Sequence, residues 1–484
     1  MIFDSESVFE ENVITVLKQH GWKDGVLRYP TERDLLDNWK DILYRNNNDI
    51  DRLGKYPLTD GEMTQIIEQI ETLRTPLALN SFVNGRTVSI TRDNKEDVAH
   101  FGKEVSLYIY DRKEIAGGKS TYQIAQQPVY PAKNKMLNSR RGDLVLLING
   151  MPLIHIELKK SGIPVSQATN QIEKYAHEGV FTGLFRLVQI FVAMNPDDAV
   201  YFANPGVDKF NPSYYYFHWA DYNNEPICGG QNPGKDEWKL FIGGTSGTAG
   251  LLSIPMAHQL IGFYTIADSA DGCLKVLRSY QYIAANAISD VVRKCDWEQR
   301  PATPGRPGGY VWHTTGSGKT MTSFKSAQLI ADSHDADKVV FLMDRIELGT
   351  QSLKEYRSFA DSETEVQGTE NTGVLRDKLN STDVNDTLIV TSIQKMSNVK
   401  AGGAGCHPDM AGSTCCTTHR LHRGRMPSFH IRRHVAGHPA LLPERAVLRI
   451  YRHAHPGRKP EEEFHHCHGI RPLPAPVQHR RRHS

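Results

Sequence analysis

The stretch SRRGDLVLLINGMPLIHIELKK, residues 139–160, decides the fold of the N-terminal half of the chain. It holds two apolar runs separated by Asn149-Gly150, a dipeptide typical of a two-residue β-hairpin turn. A turn centred there pairs positions whose numbers sum to about 300, so Asp143 is predicted to lie opposite Glu157. Because side chains alternate along a strand, Glu157 and Lys159 share one face. The sequence therefore predicts a hairpin that brings two carboxylates and a lysine together.

These three side chains suit phosphodiester hydrolysis. Two carboxylates about 4.5–5.5 Å apart across a strand pair can hold one Mg²⁺, and a neighbouring lysine can steady or deprotonate the attacking water. The pattern Asp143 … Glu157-Leu158-Lys159 resembles the PD-(D/E)xK nuclease motif. Gln171 and Tyr175, one helical turn apart, resemble the Gln-x-x-x-Tyr element that accompanies this nuclease core in type I restriction enzyme R subunits. The alternative interpretation is a solvated hairpin end, where Glu-x-Lys is common.

Helical patterns flank this hairpin on both sides. Residues 6–22 carry apolar side chains at helical spacing, and Glu10 on that helix resembles the acidic residue that often starts this nuclease fold, although Glu11 is adjacent and both could be surface charges. From about residue 274 a second helical run leads into a Pro/Gly linker at 301–309. We therefore predict a domain boundary between about residues 245 and 275.

Beyond the linker, short apolar strands alternate with helical segments, as in the parallel sheet of a doubly wound α/β domain. Between the first strand and the next helix lies TTGSGKT, which has the placement of a phosphate-binding loop. Small residues let backbone N–H groups approach the phosphates, Lys319 would contact the β- and γ-phosphates, and Thr320 would ligate Mg²⁺. His313 replaces the usual first glycine, as in superfamily two helicases of the restriction class. The predicted ATP-binding residues are Thr314, Thr315, Gly316, Ser317, Gly318, Lys319 and Thr320.

Weaker matches flank the phosphate-binding loop. Gln281 resembles the Q-motif glutamine that recognises adenine, although alone it would belong to an unremarkable helix. Two strand ends resemble the helicase segments that contact the DNA backbone rather than base edges, and polar residues at strand ends are the alternative interpretation. The DNA-contact candidates are Asp344, Arg345 and Gln351 after the first of these strands, and Thr391 and Gln394 at the second.

These motifs occur between about residues 9 and 397 in the order found in type I restriction enzyme R subunits. The resemblance implies an α/β chain with a PD-(D/E)xK nuclease domain at 1–260 and an incomplete RecA-like, superfamily two motor domain at 261–400. It also implies ATP and Mg²⁺ as cofactors, ATP-dependent translocation, and double-strand cleavage away from the recognition site. The implied partners are double-stranded DNA and the specificity and methylation subunits of the complex. Two alternatives remain: a repair-type helicase-nuclease and a non-catalytic DNA-binding module.

Membrane insertion is not expected. No run of sequence reaches the roughly 18 to 20 apolar residues of a spanning helix. The chain begins with the acidic stretch MIFDSESVFEENV rather than a basic and then apolar signal. We therefore expect a cytoplasmic location.

Residues 401–484 differ from the rest of the chain. They hold 14 Lys+Arg against 5 Asp+Glu and 13 of the 21 histidines, without sustained periodicity. A motor needs an acidic Asp-Glu box on a core strand to hold Mg²⁺ and orient water, and none follows residue 400. A metal-binding tail and a basic DNA-binding extension are two interpretations. The third is translation in a displaced reading frame, so that this segment would not fold natively.

The genetic code allows a test of the displaced frame. One codon choice for residues 419–429, moved one nucleotide forward, reads Thr-Val-Phe-Ile-Val-Asp-Glu-Cys-His-Arg, a buried strand ending in the Asp-Glu-Cys-His box of these R subunits. Residues 448–456 likewise give Phe-Gly-Phe-Thr-Gly-Thr-Pro-Ile, which resembles the helicase motif that couples ATP hydrolysis to DNA movement. Two long matches in one displaced frame predict a frameshift between about residues 398 and 418.

Overall fold

The computed structural model describes an α/β chain built around two six-stranded sheets. Among the described residues, no helix has both the length and the apolar composition needed to cross a membrane. The described residues are 2–115, 118–130, 140–206, 210, 216–294, 308–314, 316–343, 346–360, 366–398, 428–434 and 445–451.

The N-terminal sheet has the order β1-β4-β5-β6-β7-β8. Pairs β1–β4 and β6–β7 are parallel, and the other neighbours are antiparallel. Every residue of β4 to β8 is buried, so both faces of the sheet are covered. The strands are β1 (Val26–Arg28), β4 (Tyr122–Gln126), β5 (Leu144–Ile148), β6 (Met151–Leu158), β7 (Ile190–Met194) and β8 (Ala199–Ala203), and a separate hairpin is formed by β2 (Thr87–Thr91) and β3 (Glu104–Tyr108).

Helices pack around this sheet. The predicted N-terminal helix is confirmed, and it begins after Ser5, whose side chain accepts a hydrogen bond from the backbone N–H of Val8. Phe3 and Phe9 pack against Trp238, which joins the first helix to a short helix far along the chain. The helices are α1 (Glu6–Gln19), α2 (Glu32–Asn46), α3 (Asp60–Thr72), α4 (Pro76–Asn84), α5 (Val165–Glu178), α6 (Glu237–Gly243) and α7 (Met256–Gly262), with a 3-10 helix at Gly183–Leu187.

Strands β5 and β6 form the predicted hairpin in the predicted register. Leu144 pairs with Ile156 and Leu146 with Ile154, before a bulge near the turn. The turn residues Asn149 and Gly150 have φ angles of 52° and 82°, as a type I′ turn requires. One residue beyond the Leu144–Ile156 pair, the same register sets Asp143 opposite Glu157.

The segment predicted as helical from about residue 274 begins differently. Residues 273–276 form β10 (Cys273–Val276), antiparallel to β9 (Thr265–Asp268), and α8 (Ser279–Arg293) starts only at Ser279. Lys275 forms ion pairs with Asp268 and Asp271 across this hairpin. The helix prediction is therefore wrong for its first residues, because pairing with β9 outweighs the local helical spacing.

The second sheet has the order β11-β15-β16-β12-β14-β13. The short apolar strands predicted beyond the linker are confirmed at Gly308–Thr314, Lys338–Met343 and Leu388–Ser392. Five strands run in one direction, whereas β16 is antiparallel to both neighbours, unlike the purely parallel sheet expected. The strands are β11 (Gly308–Thr314), β12 (Lys338–Met343), β13 (Val366–Gly368), β14 (Leu388–Ser392), β15 (Ser428–His434) and β16 (Arg445–Tyr451), and the helices are α9 (Lys319–Asp332), α10 (Ile346–Phe359), α11 (Thr372–Asn380) and α12 (Ile393–Asn398).

Two strands of this sheet come from residues 401–484. β15 pairs with β11, the strand that leads into the phosphate-binding loop, and β16 lies between β15 and β12. The remaining residues of that segment lie outside the described ranges. That the segment does not fold natively stays a prediction.

Candidate active site

The hairpin brings three of the predicted nuclease residues to one place. An Asp143 carboxylate oxygen accepts a hydrogen bond of 2.7 Å from the backbone N–H of Leu158. The Glu157 side chain is fully buried, and Lys159 Nζ lies 3.7 Å from Glu157 Oε1 and 3.6 Å from Glu6 Oε1. Lys159 Nζ also donates to the Leu158 carbonyl oxygen at 2.8 Å. The two carboxylates and the lysine therefore converge at one end of the sheet.

Helix α5 carries the other two residues predicted for the nuclease site. Gln171 Nε2 donates to the Tyr175 hydroxyl at 2.6 Å, and that hydroxyl donates to the Arg141 carbonyl oxygen at 2.9 Å. Burial, the larger effect, and the charge of Glu157 raise the pKa of Tyr175 to about 12. Tyr175 thus stays protonated and anchors the backbone two residues before Asp143.

Glu10 and Glu11 occupy different surroundings. Glu10 is 3% exposed and accepts hydrogen bonds from the side-chain amides of Gln126 and Gln127, and its charge raises the pKa of Asp143. Glu11 is about half-exposed and pairs with Arg28. Of the two acidic residues, Glu10 is therefore the buried one, and its charge acts on Asp143.

The charge of the buried carboxylates is suppressed. Burial raises the pKa of Asp143 well above its usual range, and the neighbouring Glu157 raises it further. Burial likewise raises the pKa of Glu157 to about 8. Within the described part of the chain, neither oxygen of the Glu157 carboxylate has a hydrogen bond of good geometry. A bound cation would reduce the repulsion between the two carboxylates and would give the Glu157 oxygens a contact.

A small divalent cation fits this donor set. Mg²⁺ prefers oxygen ligands and commonly takes only one or two carboxylates while keeping several waters. Asp143 and Glu157 would supply those two carboxylates, and among the described residues the buried Glu157 oxygens have no hydrogen bond of good geometry. No group of three or more His, Cys, Asp and Glu side chains in the described ranges forms a ready-made metal cage. The geometry therefore suits a cation that remains partly hydrated.

The loop predicted to bind phosphate lies between β11 and α9, in the predicted position. Gly316 and Gly318 have φ angles of 76° and 75°, in the left-handed region that favours glycine. Gly318 is the N-cap of α9. The Gln281 side-chain amide donates to the carbonyl oxygens of Ser317 and Gly318 at 3.3 Å, and the Tyr280 hydroxyl donates to Ser317 O at 3.0 Å. Helix α8 therefore holds the loop through its backbone.

A cavity of about 210 Å³ opens beside this loop. Residues 316–318 line one side, and β10 lines another. The Arg278 guanidinium lies 4.3 Å from the centre of the Phe217 ring, and both residues also line the cavity. Tyr201 of β8 donates to the Leu277 carbonyl oxygen at 3.0 Å. The N-terminal sheet, through β8, thus contributes to the wall of the cavity at this loop.

Two parts of the chain match known protein families. Residues 4–210 match the family described as type I restriction enzyme R protein N terminus, and residues 280–428 match the SWI2/SNF2 ATPase family. A type I restriction enzyme endonuclease subunit of Staphylococcus saprophyticus is 32% identical over 405 residues, which cover 82% of this chain and 37% of that protein. The chain belongs to the type I restriction enzyme R protein family.

Other R-family relatives agree. A type I restriction enzyme endonuclease subunit of Staphylococcus aureus strain MSSA476 is 32% identical over 84% of this chain and 38% of its own length. The EcoprrI endonuclease subunit of Escherichia coli is 29% identical over 44% of this chain and 62% of its own length. The chain spans just over a third of the length of the staphylococcal relatives it matches.

Of the predicted DNA-contact residues of this R-family chain, the structure describes the positions of Gln351, Thr391 and Gln394. β12 and β14 are parallel neighbours, and their C-terminal ends share an edge with the end of β11. Thr391 is buried in β14 and accepts a hydrogen bond from Thr369. Gln351 falls on α10 and Gln394 on α12. Thr315, Asp344 and Arg345, and the side chain of Thr314, lie outside the described residues.

Sequence reasoning missed two buried residues beside the carboxylates. Tyr130 and His155 are 1% and 0% exposed, and their polar atoms are 2.8 Å apart. His155 could have been found, because it is a polar residue on the same face of β6 as Glu157. No local pattern marks Tyr130, which reaches the site only through the packing of a segment outside the hairpin.

A pH effect on metal-free stability follows from Glu157. Burial raises the pKa of its carboxyl group from an ordinary value near 4.5 to about 8. The stabilisation of the folded state that depends on the protonated carboxyl is therefore fully present below the pKa of the unfolded chain, and it is lost as the pH rises through 8. In EDTA, the thermal unfolding midpoint should fall between pH 5 and pH 8–9, and less steeply in Glu157→Gln. Mg²⁺ should stabilise the wild type most at the alkaline end. Equal slopes in the two proteins would contradict this assignment.

Gly318 provides a second prediction. A Cβ atom at this position would meet Nε2 of Gln281, whereas one at Gly316 would meet nothing within 4 Å. An L-residue in the left-handed region costs about 1–2 kcal/mol, so Gly316→Ala should weaken binding of a fluorescent ATP analogue about 5–30-fold if that cost appears fully in binding. Gly318→Ala should weaken binding more, because it adds the clash. Equal losses would show that the Gln281 contact is unimportant.

Proposed function

We propose that this chain carries the PD-(D/E)xK nuclease and the first RecA-like motor region of a type I restriction subunit, which cleaves double-stranded DNA with Mg²⁺. The observation that carries the proposal is the buried pair Asp143 and Glu157 with Lys159 beside it. The relatives named as type I restriction endonuclease subunits support the biological role. Because the chain spans just over a third of the staphylococcal relatives, the activity of the complete protein is itself a proposal.

Each nuclease residue has a separate task. Asp143 and Glu157 would hold Mg²⁺, which when bound polarises the phosphate and activates water. Lys159 Nζ lies within 4 Å of Glu157, where its positive charge can orient the attacking water or the phosphate. Gln171 and Tyr175 form a chain of hydrogen bonds that fixes the backbone before Asp143. The buried site lowers the local dielectric and strengthens these interactions.

The nucleotide site supports ATP as the second cofactor. Lys319 and Thr320 start α9 next to the glycines of the loop, where they would contact the phosphates and the associated Mg²⁺. Gln281 is our candidate for the adenine edge, in addition to its observed contacts with the loop backbone. The other loop positions at 314–318 would provide backbone N–H groups. ATP bound here would drive translocation in a complete motor.

DNA and protein partners follow from the same role. Asp344, Arg345, Gln351, Thr391 and Gln394 are proposed to contact the DNA backbone, which permits movement independent of sequence. Site recognition would belong to the specificity and methylation subunits of a cytoplasmic complex. A repair-type helicase-nuclease would share the chemistry but not these partners, so co-purification of a methyltransferase distinguishes the two.

Motor activity is proposed to be lost in this chain. Residues 401–484 contain no Asp-Glu box in the written frame, whereas one codon choice in the displaced frame supplies one. The ATPase-family match extends to residue 428 and so includes the segment at about 398–418 where we place the frameshift. Resequencing the coding DNA tests this: codons incompatible with the two displaced-frame motifs would remove the hypothesis.

The nuclease proposal is tested with supercoiled plasmid DNA. The purified chain should convert it to nicked or linear DNA with Mg²⁺ or Mn²⁺ and not in EDTA. ATP should not be required if the N-terminal domain acts alone. Absence of metal-dependent cleavage both in this chain and in a frame-restored protein would overturn the proposed nuclease function.

A further inference from the structure

A buried polar pair lies directly behind the Glu157 carboxylate. The Tyr130 hydroxyl oxygen is 2.8 Å from His155 Nδ1, and His155 Nε2 is 3.3 Å from Glu157 Oε2. The side chains of His155 and Glu157 are fully buried. In the described residues His155 Nε2 has no hydrogen bond of good geometry, so the nearby carboxylate oxygen is positioned to become its acceptor.

The surrounding packing holds this pair close to both carboxylates. The rings of Phe181 and Phe191 lie 5.5 and 5.9 Å from the His155 ring, measured between centroids. Gly142 immediately precedes Asp143, and a Cβ atom there would meet the Tyr130 hydroxyl and the His155 ring. The absence of a side chain at Gly142 therefore allows the pair to approach the site.

The contact with Tyr130 determines which ring nitrogen of His155 carries the proton. A neutral histidine donates from one ring nitrogen and accepts at the other. If Tyr130 donates to Nδ1, the proton lies on Nε2, which faces Glu157. We propose that His155, with its tautomer set by Tyr130, is a positioning residue that orients the Glu157 carboxylate for a divalent cation. This inference rests on the proposed nuclease function.

A similar pair elsewhere in the domain provides a matched control. The Tyr122 hydroxyl lies 2.9 Å from His258 Nδ1, and both residues are buried. His258 Nε2, however, lies 3.0 Å from the carbonyl oxygen of Asp111 rather than from a carboxylate. Tyr122→Phe thus removes the same kind of contact without altering the surroundings of Glu157.

The test is Mn²⁺ binding to the full chain without nucleotide, measured by the paramagnetic resonance of free Mn²⁺. Only the binding lost in Asp143→Asn is assigned to the nuclease site. Outer-shell partners typically contribute about 10–100-fold to metal affinity, so His155→Phe should weaken this binding by that factor. Tyr130→Phe should produce a smaller loss, His155→Gln should recover part of the affinity because it restores an N–H donor, and Tyr122→Phe should have no effect.

The outcomes separate the two proposals. No Asp143-dependent Mn²⁺ site in the wild type would overturn the proposed metal-dependent function and this inference with it. A site that is present but unchanged in His155→Phe would overturn only the positioning role. Equal weakening in Tyr130→Phe and Tyr122→Phe would also overturn it, because both would then act through general destabilisation. If His155→Phe does not fold, Tyr130→Phe provides the decision, since it keeps the aromatic ring.

Discussion

Asp143→Asn is expected to lower metal-dependent DNA cleavage by on the order of 10³-fold, because metal ions supply several kcal/mol of transition-state stabilisation and each 1.4 kcal/mol is a factor of ten. Asp143 lies opposite Glu157, and burial, reinforced by the charge of Glu157, raises the pKa of Asp143 well above its usual range. The initial rate of plasmid nicking at saturating Mg²⁺ measures the effect. A variant that cleaves at the wild-type rate would make the carboxylate structural and favour a non-catalytic DNA-binding module.

Lys159 and Lys160 provide the matched comparison for this experiment. Lys159 is 8% exposed and lies beside Glu157, whereas Lys160 is exposed and donates to the carbonyl oxygen of Asp4. Lys159→Met should reduce cleavage by about 10²–10⁴-fold if the amine takes part in proton transfer. Lys160→Met should remain within about twofold of wild type, as for other exposed substitutions. Equal effects would indicate that lysine acts only through general attraction to DNA.

DNA-stimulated ATP hydrolysis is expected to be absent from the 484-residue chain. It should appear when the reading frame of the coding DNA is corrected by one nucleotide, so that the displaced-frame motifs are translated. The physical reason is that ATP hydrolysis needs an acidic group to hold Mg²⁺ and orient water opposite the phosphate-binding loop. Phosphate release from ATP, with and without linear duplex DNA, measures the gain. DNA-stimulated hydrolysis by the uncorrected chain would contradict the proposed loss of motor activity.

Two variants of the frame-restored protein identify the source of any recovered activity. Lys319→Ala should abolish ATP hydrolysis but leave metal-dependent nicking intact, because Lys319 starts α9 directly after the proposed phosphate-binding glycines and is not part of the nuclease hairpin. Asp143→Asn should do the reverse. If Lys319→Ala still hydrolyses ATP, the activity comes from another site or from a contaminant.

The sequence by itself determined the parts of the site that depend on short local motifs. The Asn149-Gly150 turn sets the register that opposes Asp143 and Glu157, and strand alternation places Lys159 beside Glu157. The sequence also predicts the phosphate-binding loop, because the glycines of this short motif adopt a conformation that few other residues tolerate. Such features depend on neighbours in the chain, which the sequence shows directly.

Only the tertiary structure decided the features that join distant segments. It distinguished buried Glu10, which accepts from Gln127, from Glu11, which pairs with Arg28, and it replaced the start of a predicted helix by β10. It also placed Tyr130 and His155 behind Glu157. The physical reason is that burial and hydrogen-bond partners arise from packing between residues far apart in sequence, and these contacts outweigh local propensity.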